Sequence, residues 1–229
     1  MPKPKNPATK NLQVSPQETG SLADQAYHQL EEMIVTLVLP PGASLSEAIL
    51  SEKTGIGRTP IREALKRLEH QGLVTSMPRK GLIVRDMRVE DQLALLEVMR
   101  PLDRLINSKA ARWAHDSQRE ALRLVAEAMV QAAATGDLHA FLLCDQECDR
   151  IIYEISRNPF IIDVVTPLYS HSRRFWCSFS QPSDLARMAE LHADVMRAVA
   201  DGSEEKAAAA SDALIDYLEA FSKAAVGLS

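Results

Sequence analysis

The sequence predicts a mostly α-helical protein, an N-terminal winged helix-turn-helix followed by an all-α antiparallel bundle, and three observations carry that reading. Between residues 21 and 86, helically spaced apolar segments give way to two β-prone runs around a turn bearing Pro and Gly. Beyond about Val89 the apolar spacing is helical throughout, with no alternating strand pattern. The later helices are separated only by short breaks, which makes successive helices antiparallel neighbours.

Residues 1–20 are Pro, Lys, Asn, Gln and Thr without apolar periodicity and are expected to form a disordered leader. From Asp24, Ala26, Leu30, Met33, Ile34 and Leu37 repeat at helical spacing until Pro40–Pro41–Gly42 stops the helix. Ser44 and Glu47 have capping-box spacing and open a second helix that runs to Thr54. Gly55–Ile56–Gly57 supplies a tight turn. Thr59 then reads as an N-cap, with Pro60 at the first helical position of a third helix that ends at Gly72. Leu73–Thr75 and Leu82–Arg85 flank the turn Met77–Gly81 as a hairpin. Helices are expected near 90–114, 117–134, 137–157, 159–179, 183–200 and 203–225, with Pro101 kinking or restarting the first. The expected domains are thus 21–86 and 87–229.

Composition narrows the class. The chain has 229 residues, 46% hydrophobic and 25% charged, with a net charge of -5, which excludes a disordered, collagen-like or disulfide-scaffold protein. The odd set Cys144, Cys148 and Cys177, without a secretory signal, points to a reducing cytoplasm, and no run is long and apolar enough for a membrane span. Charge is unevenly spread: eight basic residues lie between Lys53 and Asp86 against three acidic ones. A basic patch on a mildly acidic chain hints at a nucleic-acid-binding module joined to something else.

On the third helix, Ile61, Ala64, Leu65 and Leu68 form an apolar stripe, while Thr59, Arg62 and Lys66 lie on the far side with Arg58 just ahead. Such a helix seats its stripe in a small core and offers its N-terminal end to a DNA major groove. There Arg58 and Arg62 have the fork geometry for guanine or phosphate, and Thr59 reaches a phosphate or a thymine methyl. Arg79 and Lys80, at the hairpin tip, would meet a neighbouring groove or backbone. The alternative is a merely solvated basic face; the cap, the turn and the hairpin in register favour double-stranded DNA.

The segments Leu39–Pro40–Pro41–Gly42–Ala43–Ser44–Leu45–Ser46–Glu47 and Thr54–Gly55–Ile56–Gly57–Arg58–Thr59–Pro60–Ile61–Arg62–Glu63–Ala64–Leu65, with Gly72–Leu73–Val74 and Gly81–Leu82–Ile83–Val84, closely resemble the GntR superfamily of bacterial transcription factors over residues 22–86. The remainder, 88–226, resembles the FadR-type, or FCD, effector domain. The resemblance implies a homodimer that binds short palindromes and is usually a repressor released by a small metabolite. In many FCD domains an Asp and a His one helical turn apart join two later histidines around a divalent metal. The matching positions here are Asp145, Asp149, His192 and Leu214, so two of the expected histidines are missing.

Two readings of this set stand. Asp145, Asp149 and His192 hold a divalent ion, of a hard type such as Mn or Mg, with waters or an organic acid completing the shell. Alternatively the pocket is metal-free, Asp149 pairs with Arg150 or Arg173, and His192 is an ordinary helix residue. Arg100 matches a position that tends to face the effector cavity in the family, which would let it pair an effector carboxylate; a surface arginine is the alternative. Arg100, Asp145, Asp149 and His192 are therefore the candidate effector residues, with Arg173 and Arg174 as further candidates and an organic acid as the expected effector. His171, Phe175 and Trp176 read as packing or pocket wall, and Cys144 and Cys148, one turn apart but not a CxxC pair, as inert thiols. A metal-dependent enzyme built on Asp145, Asp149 and His192 competes poorly, because no nucleophile–base–orienter set or glycine-rich phosphate loop accompanies them. A transcriptional activator of the same fold is the other competing function.

Overall fold

The computed structural model describes residues 20–225 and 227; residues 1–19 of the expected leader lie outside the described residues. The N-terminal part contains α1 (Leu22–Val35), α2 (Glu47–Thr54), α3 (Arg58–His70) and an antiparallel hairpin of β1 (Val74–Met77) and β2 (Gly81–Val84). Helix α1 opens with a capping box: Ser21 Oγ accepts from the Asp24 amide at 3.2 Å, and the Asp24 carboxylate accepts from the Ser21 amide at 3.0 Å. Tyr27, Leu30, Ile34, Leu50, Ile61, Leu65, Leu68 and Val84 close a small core.

Two caps differ from expectation. Helix α2 opens at Ser46, because Ser44 is taken up in a bridge to Ile83, and the Leu45 amide donates to the Leu82 carbonyl at 2.8 Å. The stretch before α2 thus extends the wing, and Ser44 is not free to cap. Helix α3 starts at Arg58 with Gly57 as its N-cap, since the Ile61 amide already donates to the Gly57 carbonyl at 3.2 Å. Thr59 and Pro60 are consequently inside the first turn, where the absent N–H of proline costs nothing. At Gly55 the chain takes φ +71°, the left-handed conformation that closes α2 and turns it toward α3.

The C-terminal part is a bundle of α4 (Val89–Trp113), α5 (Asp116–Thr135), α6 (Leu138–Ser156), α7 (Pro159–Phe179), α8 (Asp184–Ala200) and α9 (Glu204–Ala224). Helix α4 packs on α9, α6 and α7, and α5 packs on α8 and α6. Pro101 does not restart the helix: α4 runs unbroken for 25 residues. Pro101 is exposed and so is Glu97, whose carbonyl loses its helical donor on the solvent side, where water replaces it.

The two parts meet along α7. Ser170 Oγ donates to Glu31 at 2.5 Å, and His171 Nε2 lies 2.8 Å from the Gln71 carbonyl, which can only accept, so the ring carries its proton on Nε2. Burial depresses the pKa of this ring and keeps it neutral beside Arg174 and Arg85. Arg174 donates to the carbonyl of Arg85, in the linker between the parts. No helix among the described residues is long and apolar enough to cross a membrane.

Candidate functional site

Arg58, Thr59, Arg62 and Lys66 are all exposed on α3, opposite the buried Ile61, Ala64, Leu65 and Leu68. Arg79 and Lys80 are exposed at the tip of the hairpin, where Arg79 takes φ +68°. Arg62 is held rather than loose. Its Nε and Nη2 each donate to Glu47 at 2.7 Å in a bidentate pair that ties the start of α3 to the start of α2. Glu47, expected to complete a cap, instead orients the arginine.

A partly open cavity of about 90 Å³ lies between α4, α6, α7, α8 and α9. Its polar wall includes Asp103, Asn107, Asp145, Asp149, Tyr169, Ser172, Arg173 and His192, and its apolar wall includes Met99, Trp176, Met188 and Leu214. Asp145 and Asp149, one turn apart on α6, both accept from Arg173: Nε donates to Asp145 and Nη2 to Asp149. His192 Nδ1 lies 3.3 Å from the other oxygen of Asp145. Tyr169 donates to Asp103 at 2.6 Å, and its ring lies under the Arg173 guanidinium, 5.9 Å from the centroid.

Burial pushes the carboxyl of Asp145 up, but Arg173 and His192 outweigh it, so Asp145 lies below the ordinary carboxylate range. Asp149 goes the other way, because burial and the charge of Asp145 outweigh its share of Arg173. Burial also raises Asp103, to about 7, against the opposing hydrogen bond from Tyr169. Burial depresses the pKa of His192 against the opposing pull of Asp145.

The structure thus brings together Asp145, Asp149 and His192, but as partners of an arginine. A divalent ion needs the oxygens that Arg173 occupies and would lie against its guanidinium, while the fourth position, Leu214, has no donor. Among the described residues no group of His, Cys, Asp and Glu is placed to hold a metal ion. The residues present do not fit the metal, and Arg173 supplies the compensating positive charge internally.

Arg100 does not reach this cavity. One residue beyond the lining Met99, it turns about 100° around α4 and pairs with Asp216 at 2.7 Å and Glu219 at 3.0 Å on α9, with Asp212 at 3.6 Å. It ties two helices together at the surface. Asp103, missed from the sequence, lies on the buried face instead and is 6% exposed. Trp176 lines the cavity as expected, Phe175 packs against Phe179 and Phe221, and Cys148 is buried with its thiol pushed up by burial.

This geometry agrees with comparisons to known proteins. Residues 22–84 match the bacterial regulatory proteins of the gntR family, and residues 94–217 match the FCD domain. The chain is 33% identical over 124 residues to an uncharacterised HTH-type transcriptional regulator from the TAR-I ttuE-ttuC' intergenic region of Agrobacterium vitis, covering 53% of this chain and 72% of that protein. It is 23% identical over 192 residues to the HTH-type transcriptional repressor RspR of Escherichia coli, covering 83% of each. The solved structure of McbR/YncC from E. coli shares the fold, with a TM-score of 0.78 at 20% identity over 90% of this chain and 98% of that one. These relatives are named as regulators, not enzymes. The chain therefore belongs to the gntR family of bacterial transcriptional regulators, with a DNA-binding winged helix-turn-helix and an FCD effector domain.

Proposed function

We propose that this regulator is a repressor that binds a palindromic operator as a homodimer and is released when a small molecule enters the cavity of the helical domain. The observation that carries the reading is the double role of α7. Tyr169, Ser172, Arg173 and Trp176 line the cavity, while Ser170, His171 and Arg174, on the same two turns, bond to the DNA-binding part through Glu31, Gln71 and Arg85. A ligand that shifts α7 within the bundle moves the surface on which the winged helix rests. The two recognition helices of a dimer must sit one DNA turn apart, about 34 Å, or a multiple of it, so a small rotation at the junction is enough to lose one half-site.

The placement of the DNA-reading face is tested by Arg62→Ala in full-length protein, measured by fluorescence anisotropy on operator DNA. The expected loss is about 1–3 kcal/mol of specific binding with the fold intact. Wild-type affinity in the variant would move the recognition surface elsewhere.

Apolar side chains left in solvent support the dimer. Val98 and Leu105 are about half exposed on α4, and Phe160 is 82% exposed one turn before the half-exposed Val164 on α7, a helix that packs against α4. A second copy of the chain covering these helices removes them from water. Phe160→Asp is expected to yield a monomer by light scattering and to weaken operator binding. A dimer as tight as wild type would place the interface on another face.

The organic acid expected from the sequence needs a free cation in the cavity. Arg173 is the one arginine among the lining residues and no lysine joins it; its Nε and Nη2 are taken by aspartates, which leaves only Nη1 without a bond among the described residues.

A further inference from the structure

The polar wall of the cavity carries more acid than base. Three carboxyl groups, Asp103, Asp145 and Asp149, face a single guanidinium. Asp145 accepts from Arg173 through Oδ2, and His192 Nδ1 stands 3.3 Å from its Oδ1. Asp103 accepts from Tyr169 through Oδ1 and Asp149 from Arg173 through Oδ2, so each keeps a second oxygen to which no donor is bonded among the described residues. An entering carboxylate finds only Nη1 of Arg173 unclaimed and would lie beside the aspartates, and like charges at that range are unfavourable. An entering ammonium or amidinium meets the two unclaimed oxygens instead and favours the ionised form of both carboxyls. The rest of the wall suits the body of such a ligand: Met99, Met188 and Leu214 are apolar, and Tyr169 and Trp176 offer aromatic faces to a cation.

We propose that the cavity takes a small organic cation, an amine or amidine on a short, partly apolar body, with its N–H groups on the free oxygens of Asp103 and Asp149. The proposal rests on the cavity being the effector site, and it replaces the organic acid with the opposite charge. Leu214, where related domains carry a metal-binding histidine, belongs in this account: it removes a ligand from a metal and adds apolar surface for the body of an amine.

The test uses full-length protein, with thermal shift and calorimetry reporting binding and anisotropy on operator DNA reporting release. The probes are ethanolamine, benzylamine and agmatine, each set against a carboxylate of similar size: glycolate, benzoate and succinate. At millimolar concentration and constant ionic strength, at least one amine is expected to raise the melting temperature while the carboxylates do not. Asp103→Asn, which keeps the acceptor for Tyr169 but removes the charge, should weaken that amine about tenfold. Carboxylates stabilising the protein in place of amines would overturn the proposal and leave the effector reading standing. Equal amine binding in wild type and Asp103→Asn, or no stabilisation by any amine, would also overturn it. Amine binding that is lost in Asp103→Asn yet leaves operator affinity untouched would confirm the cation site and instead defeat the release mechanism.

Discussion

Arg173→Met is expected to lower the free energy of unfolding by about 3–5 kcal/mol at neutral pH, the cost of leaving a buried charge without its partner. Arg173 is only 16% exposed, and the two aspartates it holds are 8% and 20% exposed, so little of this interaction is screened by solvent. Methionine keeps the length and the apolar contacts of the side chain, which isolates the charge. Without the guanidinium, Asp145 and Asp149 face each other across one helical turn, and their carboxyls titrate above the unfolded value of 3.8. A carboxyl whose pKa is raised in the fold binds protons more tightly there than in the unfolded chain, so the folded state gains as pH falls through that window. The deficit should therefore shrink between about pH 7 and about pH 5. The variant also vacates the oxygens that a metal would need. Mn or Zn should restore part of the lost stability in Arg173→Met and none in the wild type. Urea unfolding followed by tryptophan fluorescence measures all three, and a loss below about 1 kcal/mol would show that the aspartates were never dependent on the arginine.

Most of the architecture was readable because it depends on local rules. Helix spacing, the Gly55 turn and the hairpin were visible in the chain, and each bundle helix falls within a few residues of its expected range. What escaped depends on contacts far apart in sequence. Ser44 has the spacing of a cap, but β2, some 40 residues later, claims its backbone. Arg100 and Asp103 show the same limit at the cavity. Sequence likeness brought Arg100 forward, yet the apolar stripe of α4 runs Leu96, Met99, Ile106 and Ala110, and Asp103 falls in that stripe while Arg100 falls outside it. A lone carboxylate on the buried face of a helix was a legible signal. Arg173 was legible as a partner of Asp149, with Arg150 as the other option, but its second bond to Asp145 was not.

Arg173 and Arg174, neighbours on α7, predict opposite outcomes, and Arg174→Met should raise the stability of the protein by about 1–3 kcal/mol. Arg174 is fully buried, its Nε and Nη1 have no partner among the described residues, and its one bond runs from Nη2 to the Arg85 carbonyl. Asp86 attracts it without forming an ion pair, and burial pushes the guanidinium pKa down to about 10. Methionine removes a poorly compensated charge and loses one hydrogen bond, so the balance favours the substitution. The same change cuts a link between α7 and the linker that leads to the winged helix. Operator binding should persist in Arg174→Met, while release by a cavity ligand should weaken. Higher stability with an intact response would show that the coupling runs through Ser170 and His171 alone. Lower stability would mean that the buried guanidinium has a compensating partner in solution. A residue that costs stability where two domains join is what a regulator needs if that junction has to shift, because a fully satisfied interface would hold one arrangement too firmly for a small ligand to displace.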